Sequence, residues 1–502
     1  MKRIFLCGMT GCGKTTVGKK LAKFLSLKFY DLDEIIERRK KMKIEEIFKK
    51  YGERKFREIE YEIFNEIKER KNCVISLGGG AVLNKNILDF INKNENYAFY
   101  LDVTLEELKK RIKRSFLRPV LKKLDDVEIL YNKRKKIYER IKFKIDGNKS
   151  PEEIILQILS KIDFKYYKRI CEKPHKFYIG NIKEFFEEIK KEDSRIFIIT
   201  HEKIKNLISH FYDLSRFETI IVPEGERAKS FKYAQKIFKI LLDKKADRNS
   251  VILGIGGGVI GDLSGFISSV YMRGMRLFLV PTTILSAVDA HLGGKNAVNF
   301  IAKNIIGTFK FPEIVFCDPR IFVTLKKEHI IDGFAEIFKT ALFDEKIYKK
   351  FKKDFDKLTN PDLKTYLKWV PITGRMKLKI VEKDPFEIKG ERMLLNLGHT
   401  VGHAIEAGSG YKISHGKSVL LGLKKEIEIS KNMGIIDKEF YKEFKKIFKR
   451  IEKFIPDHEK NNLKKFIFMD KKKKENLIKI FLIKRPGEFE FKKIDLKNFP
   501  LL

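Results

Sequence analysis

A chain of 502 residues is longer than one ordinary hydrophobic core organises, so two to four domains are expected. Hydrophobic residues make up 43%, a globular proportion, and no run of about 18 apolar residues occurs, which argues against a membrane-spanning helix. The formal net charge of +39 comes with abundant glutamate and no nucleic-acid-reading motif, so it is read as solvated helix faces plus sites for anionic substrates, not as a nucleic-acid partner.

Cys7, Cys12, Cys73, Cys171 and Cys317 are scattered without a CxxC pair. That argues against a disulfide framework or cysteine zinc site and for a reducing cytoplasm. At the N-terminus, Arg3–Cys7 is an apolar strand, which the glycines and Lys14 interrupt too soon for a signal peptide. A glycine loop and a helix to about Leu25 follow. Asn72–Leu77 is a second strand, ending at Gly78-Gly79-Gly80, and Tyr97–Asp102 is a third, with a charged helix behind it. This alternation predicts a parallel sheet with ligands at the strand C-terminal ends. Ser150-Pro151-Glu152 starts another helix. Asp163–Pro174 lacks periodicity and is read as a linker. Beyond it, Arg195–Thr200, Thr219–Val222 and Ser250–Ile255 open a new strand series, and from about Glu328 the pattern is helical, with a late apolar segment at Leu477–Ile483. The fold class is α/β: a P-loop parallel-sheet domain (1–162), a linker (163–174), a Rossmann-like α/β domain (175–327) and a mainly α-helical metal-binding domain (328–502).

Gly8–Thr15 fits GxxxxGK[ST] between a strand and a helix. Backbone N–H groups of Gly11, Cys12, Gly13, Lys14, Thr15 and Thr16 would cradle phosphates, Lys14 would reach the outer ones, and Thr15 would join Mg²⁺. Asp31-Leu32-Asp33 is read as an extended segment with two carboxylates on one side, suited to Mg²⁺ and a substrate hydroxyl, although a solvated loop fits as well. Arg57, on a helix, suits a bidentate carboxylate contact, and Gly78–Gly80 lets a ligand approach the backbone. Over roughly residues 1–160 these motifs resemble shikimate kinase. The resemblance implies that Asp33 activates the shikimate hydroxyl, Asp31 supports Mg²⁺, and Arg57 and Arg134 grip the carboxylate over Gly78, Gly79 and Gly80. It also implies a lid at Arg118-Pro119-Val120-Leu121, with Arg118 on ATP phosphates, and Arg111 near adenine.

Further on, Val251–Ile255 runs into Gly256-Gly257-Gly258 and a helix, the arrangement of a pyrophosphate site. His399 and His403 lie four apart on one helix face, a divalent-metal spacing that surface helices also show; by spacing alone both are candidate ligands. Gly256–Phe266, Tyr271–Gly274, Pro281-Thr282-Thr283, Val288-Asp289, Gly293-Gly294-Lys295, Lys303-Asn304, Ala335-Glu336 with Lys339, and Asn396–His415 recur in order in 3-dehydroquinate synthase, over about residues 175–485. That resemblance reassigns the histidines. It implies Glu336, His399 and His415 as ligands of Zn²⁺ (or Co²⁺), with His403, Lys339 and Lys377 catalytic.

The same resemblance implies NAD⁺ on Glu226, Lys229, Gly256, Gly257, Gly258, Asp262, Thr282, Thr283 and Lys295. It places the heptulosonate phosphate on Asp289, Arg273, Lys295, Asn304, Arg392, Asn396 and Lys472. The implied chemistry is transient oxidation of a ring hydroxyl, loss of phosphate, return of the hydride, ring opening and aldol closure, leaving NAD⁺ unchanged. A homodimer through the synthase part is implied too. Ala290-His291, His201 and Asp384-Pro385 depart from the family pattern.

The reading is thus a pair of shikimate-pathway enzymes acting on small molecules. A kinase joined to a metal-dependent polyol dehydrogenase, or to another sugar-phosphate cyclase, is the alternative. Lys295, Asn304 and Arg392 favour cyclisation with elimination over dehydrogenation, and because the two steps are not consecutive no substrate channel is expected.

Overall fold

Arg3–Cys7 (β1) is buried along its whole length, as the middle strand of a sheet covered on both faces must be. The structure is a computed structural model that describes residues 3–114, 124–455 and 477–495. It divides into two compact units, the first ending at Asp163 and the second beginning at Phe164.

In the first unit β2 (Lys28–Asp31), β3 (Cys73–Ser76), β4 (Asn96–Asp102) and β5 (Phe143–Asp146) join β1 in the order β2-β3-β1-β4-β5, all parallel. Because β3 lies between β2 and β1, the ends of three strands deliver Asp31, the Gly78–Gly80 turn and the Gly8 loop to one edge. The expectation of an extended Asp31–Asp33 segment is corrected here. Asp31 ends β2 and caps the helix Leu32–Lys40, its Oδ1 accepting the N–H groups of Asp33 at 3.1 Å and Glu34 at 3.4 Å. An aspartate capping the first turn of a helix outweighs extended pairing at this point.

The second unit holds β6 (Lys168–Cys171), β7 (Lys176–Ile179), β8 (Ile196–Thr200), β9 (Glu218–Ile221), β10 (Val251–Gly256), β11 (Arg276–Pro281), the hairpin β12 (Lys295–Phe300) and β13 (Ala302–Phe309), and β14 (Ile314–Cys317). Its sheet runs β6-β7-β14-β11-β10-β8-β9, parallel except for β6 against β7. Part of the segment read as a linker is therefore a strand of this sheet. Gly256 pairs with Pro281 across β10 and β11, so the glycine turn and Thr282-Thr283 emerge side by side.

From Lys327 the unit is helical, ending in the hairpin β15 (Leu477–Arg485) and β16 (Glu488–Asp495). Val401, Ala404 and Ile405 pack with Ile429 against Ile478, Ile480, Leu482 and Ile494 of that hairpin. Burying this face of helix His399–Gly408 leaves its histidine face toward the chemistry. Glycines set how near the next helix comes: a Cβ on Gly402 would stand 2.9 Å from the Ser418 carbonyl oxygen. No helix among the described residues is long and apolar enough to cross a membrane.

Candidate active sites

At the first site Gly8, Gly11 and Gly13 have φ of 140°, 85° and 97°, values that a side chain resists, and the loop they shape feeds helix Lys14–Leu25. Lys14 is buried and donates to the carbonyls of Gly8 at 2.9 Å and Met9 at 3.1 Å, curling over the loop it serves. Thr15 Oγ1 donates to Asp31 Oδ2 at 2.6 Å, which unites the two residues expected at Mg²⁺. Thr16 is exposed. Arg111 donates to the Cys12 carbonyl at 3.3 Å and to the Gly147 carbonyl at 3.1 Å.

The glycine turn organises the acceptor pocket. Arg134 donates to the Gly79 carbonyl at 2.8 Å, and Tyr138 donates to the same oxygen. A Cβ on Gly78 would meet Asp33 Oδ1 at 2.8 Å and the Glu60 carboxylate. Arg57 Nη1 pairs with Glu60 Oε2 at 2.6 Å, while Nη2 reaches Glu53 at 3.2 Å. Glu60 was not singled out in the sequence, yet it is buried among Arg57, Asp33 and Gly78. Burial pushes its carboxyl above the usual range against the pull of Arg57, and Asp33 adds to the push. Its signal was an arginine–glutamate pair three apart, with the glutamate on the apolar face of Ile59, Ile63 and Phe64. Asp33, Arg57, Arg134 and Gly78–Gly80 thus converge. Arg118 lies outside the described residues.

At the second site Gly257 caps helix Gly258–Val270 at the end of β10. Thr283 closes a capping box with Ser286 beside that turn, and the Thr282 N–H donates to the Gly256 carbonyl at 2.9 Å. The buried Lys229 ammonium pairs with Asp262 and also donates to Asn304. Burial raises the Asp262 carboxyl, and Lys229 opposes the rise. Asn299 ties the group together: it donates to Glu226 at 2.8 Å and accepts the Asn304 N–H at 2.9 Å. Lys377 reaches Asp289 Oδ1 at 2.6 Å, and burial lowers its ammonium against that carboxylate's support. Arg392 donates to the Gly293 and Pro385 carbonyls, while Lys295 pairs with Glu387. Arg273 and Asn396 are exposed, and Lys472 lies outside the described residues.

The candidate metal centre is built from three helices. Glu336 belongs to Lys327–Ala341, while His399 and His415 begin the helices His399–Gly408 and His415–Asn432. Glu336 Oε1 lies 3.6 Å from His399 Nε2 and 3.7 Å from His415 Nε2. Lys339 Nζ approaches Oε2 at 2.5 Å and donates to the Leu395 carbonyl at 3.0 Å. Even so, neither buried Glu336 oxygen receives a well-aligned hydrogen bond, an orphaned state that suits a cation ligand. The far ring nitrogens are engaged: His399 Nδ1 lies 3.2 Å from the Leu397 carbonyl and His415 Nδ1 lies 3.4 Å from Glu406 Oε2. That leaves both Nε2 atoms for a metal, with a carboxylate as third donor, so the residues fit catalytic zinc.

Nitrogens of His399, His403 and His415 also lie within 4.8 Å of one another, which keeps His403 beside the centre. Burial would raise the Glu336 carboxyl, but Lys339, His415 and His399 hold it well below the usual range. Burial and then Lys339 depress His399 strongly. His415, lowered by burial, is lifted to about 10 by the neighbouring Glu336 and Glu406 carboxylates.

Two further histidines of this unit, His291 and His175, are buried. His291 stacks its ring under Gly261, with Nε2 3.2 Å from the Gly257 carbonyl, and His175 is buried with neither ring nitrogen partnered. Both are packing residues of this unit.

Comparison with known proteins agrees with both halves. The shikimate kinase family pattern matches residues 10–163. The N-terminal and C-terminal patterns of 3-dehydroquinate synthase match residues 219–332 and 333–473. The bifunctional shikimate kinase/3-dehydroquinate synthase of Thermotoga maritima is 32% identical over 501 residues, covering 98% of each chain. The 3-dehydroquinate synthase of Clostridium botulinum is 36% identical over 64% of this chain and 94% of its own. In structure, 2-deoxy-scyllo-inosose synthase covers 67% of this chain and 99% of its own, with a TM-score of 0.60 at 22% identity, which shows a shared fold. With family patterns on both units and one relative spanning nearly its whole length, the chain belongs to the bifunctional shikimate kinase/3-dehydroquinate synthase family.

Proposed function

We propose that the first unit phosphorylates shikimate to shikimate 3-phosphate with ATP, and that the second converts 3-deoxy-D-arabino-heptulosonate 7-phosphate to 3-dehydroquinate and phosphate. The observation that carries this is the presence, on one chain, of a phosphate loop facing an aspartate–arginine pocket and of a glycine turn in the same unit as a Glu-His-His cluster.

In the kinase unit the loop N–H groups of Gly11–Thr15 receive the phosphates, and Lys14 exchanges the Gly8 and Met9 carbonyls for the outer phosphates. Thr15 and Asp31 would hold Mg²⁺, which neutralises charge on the phosphate oxygens. Arg57 and Arg134 fix the carboxylate of shikimate. Asp33 takes the hydroxyl proton as that oxygen bonds to the γ-phosphorus, the bond to the bridging oxygen breaks, and ADP leaves.

In the synthase unit Glu336, His399 and His415 would hold Zn²⁺ or Co²⁺. When bound, the cation supplies Lewis acidity and NAD⁺ a reversible hydride acceptor. Gly256–Gly258, Asp262, Thr282 and Thr283 orient the dinucleotide, with Glu226 and Lys229 at its edge. Lys377 aligns Asp289 toward substrate hydroxyls, Lys295, Arg392 and Lys339 offset anionic charge, and Asn304 contributes a hydrogen bond to the anion. His403, next to the metal-binding helix turn, moves protons. Arg118, Arg273, Asn396 and Lys472 belong to the same proposal as anion or substrate contacts. So do a first domain over 1–162, a division of the second unit at 327/328, a cytoplasmic location and a homodimer through the synthase unit.

Paired variants test the scheme. Lys14→Met is expected to abolish shikimate phosphorylation and spare dehydroquinate formation, and His399→Ala the reverse. Loss of both activities in either folded variant would refute independent sites.

A further inference from the structure

The two oxygens of Glu406 face different partners. Oε1 accepts from Lys303 Nζ at 2.8 Å, and Oε2 stands 3.4 Å from His415 Nδ1. Glu406 lies on the helix His399–Gly408, two turns from His399, in an apolar stretch where a carboxylate has no packing reason to be. It is 9% exposed. A carboxylate so enclosed needs a compensating charge, and Lys303 supplies it from β13, itself steadied by the Tyr411 ring at 4.9 Å. The neighbouring residue Asn304 stands in the left-handed region at φ 58° and bonds Asn299 and Lys229, both in the group around the dinucleotide turn. An unbroken line therefore runs from the β12–β13 hairpin through Lys303 and Glu406 to His415, and from His415 Nε2 to Glu336.

We propose that Glu406 is a positioning residue for the metal centre, holding the His415 ring so that Nε2 faces Glu336 and His399, and that Lys303 ties that hold to the hairpin carrying Asn304. The chemistry is that of a carboxylate behind a metal-binding imidazole, which sets the tautomer by accepting from Nδ1–H and makes Nε2 a better donor. The proposal rests on the ligand assignment made above for Glu336, His399 and His415.

The test measures divalent-metal affinity of the full chain by chelator competition, with the visible absorption of the Co²⁺ form as a report on coordination geometry. Removal of an outer partner of this kind weakens metal binding by roughly 10–100-fold, so Glu406→Ala is expected to fall in that range and to shift the Co²⁺ bands. Glu406→Gln keeps an oxygen to accept from Nδ1–H but loses the negative charge and sets an NH₂ donor against the Lys303 ammonium. It should bind metal more tightly than Glu406→Ala and keep bands closer to the parent.

Lys303→Ala should weaken metal binding in the parent but add nothing in the Glu406→Ala background, because the line is already cut. Parent-like affinity and bands in Glu406→Ala, or equal losses in the Ala and Gln variants, would overturn the proposal. His399→Ala separates the two claims. If it keeps metal, the ligand assignment itself is wrong; if it loses metal while Glu406→Ala does not, only the positioning role is.

Discussion

Gly80→Ala isolates the acceptor pocket of the kinase unit with a single methyl group. Gly80 has φ −123° and ψ 0°, which alanine adopts, so the effect is steric and not one of backbone strain. The added Cβ would stand 2.5 Å from the Arg57 guanidinium carbon and 2.7 Å from Nη1, whereas ordinary contact begins at 3.4 Å. The guanidinium must therefore retreat by about 1 Å, enough to spoil an aligned charge-assisted contact. Such a hydrogen bond contributes about 1.5–3 kcal/mol, which corresponds to roughly a 10–150-fold loss in kcat/KM for shikimate. Steady-state kinetics with each substrate varied checks this: KM for shikimate rises, KM for ATP stays within about twofold, and dehydroquinate formation is unchanged. Parent-like shikimate kinetics in folded Gly80→Ala would refute the placement of Arg57 at the carboxylate.

Other outcomes follow from the same geometry. Glu60→Gln keeps the shape of the side chain but removes the charge that holds Arg57 Nη1 at 2.6 Å, so shikimate affinity should fall roughly tenfold with ATP affinity kept. Chelation followed by Mg²⁺ alone should restore shikimate phosphorylation but not dehydroquinate formation, and Zn²⁺ or Co²⁺ should then restore the second; recovery of both by Mg²⁺ would contradict the Glu-His-His assignment. His175 is buried and held neutral in the fold, its value lowered to about 3 chiefly by burial. The unfolded chain binds a proton there below about pH 6.5, so stability is present above that pH and is lost as pH falls toward 3. His175→Leu should flatten that acid slope in thermal unfolding of the metal-loaded chain, and an unchanged slope would remove His175 as its source.

The phosphate loop was legible because its spacing is itself the mechanism: glycines where φ is positive and a lysine at the helix start. β10 with Gly256–Gly258 was legible for the same reason, as an apolar run ending in residues that admit a ligand. β2 was not, because four residues running from exposed Lys28 through half-buried Phe29 and Tyr30 to buried Asp31 carry no alternating period. Asp31 was misread as extended because capping depends on the strand end that precedes it. Spacing alone found His399 and His403, whereas His415 joins through a helix packed close at Gly402, and Glu336 comes from the separate helix Lys327–Ala341 far upstream. No local pattern encodes such a meeting; the ordered resemblance to a family supplied it, and in the structure Glu336 lies 3.6 Å from His399 and 3.7 Å from His415. Glu60 and Glu406 passed unnoticed although each is a carboxylate inside an apolar helix face, a signal that rewards attention wherever it occurs.

The most direct test assays one preparation of the full chain twice. With ATP, Mg²⁺ and shikimate it should form shikimate 3-phosphate, and with NAD⁺, Zn²⁺ and the heptulosonate phosphate it should release phosphate and form 3-dehydroquinate in equal amounts, with no net NADH. Phosphate release without dehydroquinate, accumulation of NADH, or failure to phosphorylate shikimate would contradict two enzymes on this chain.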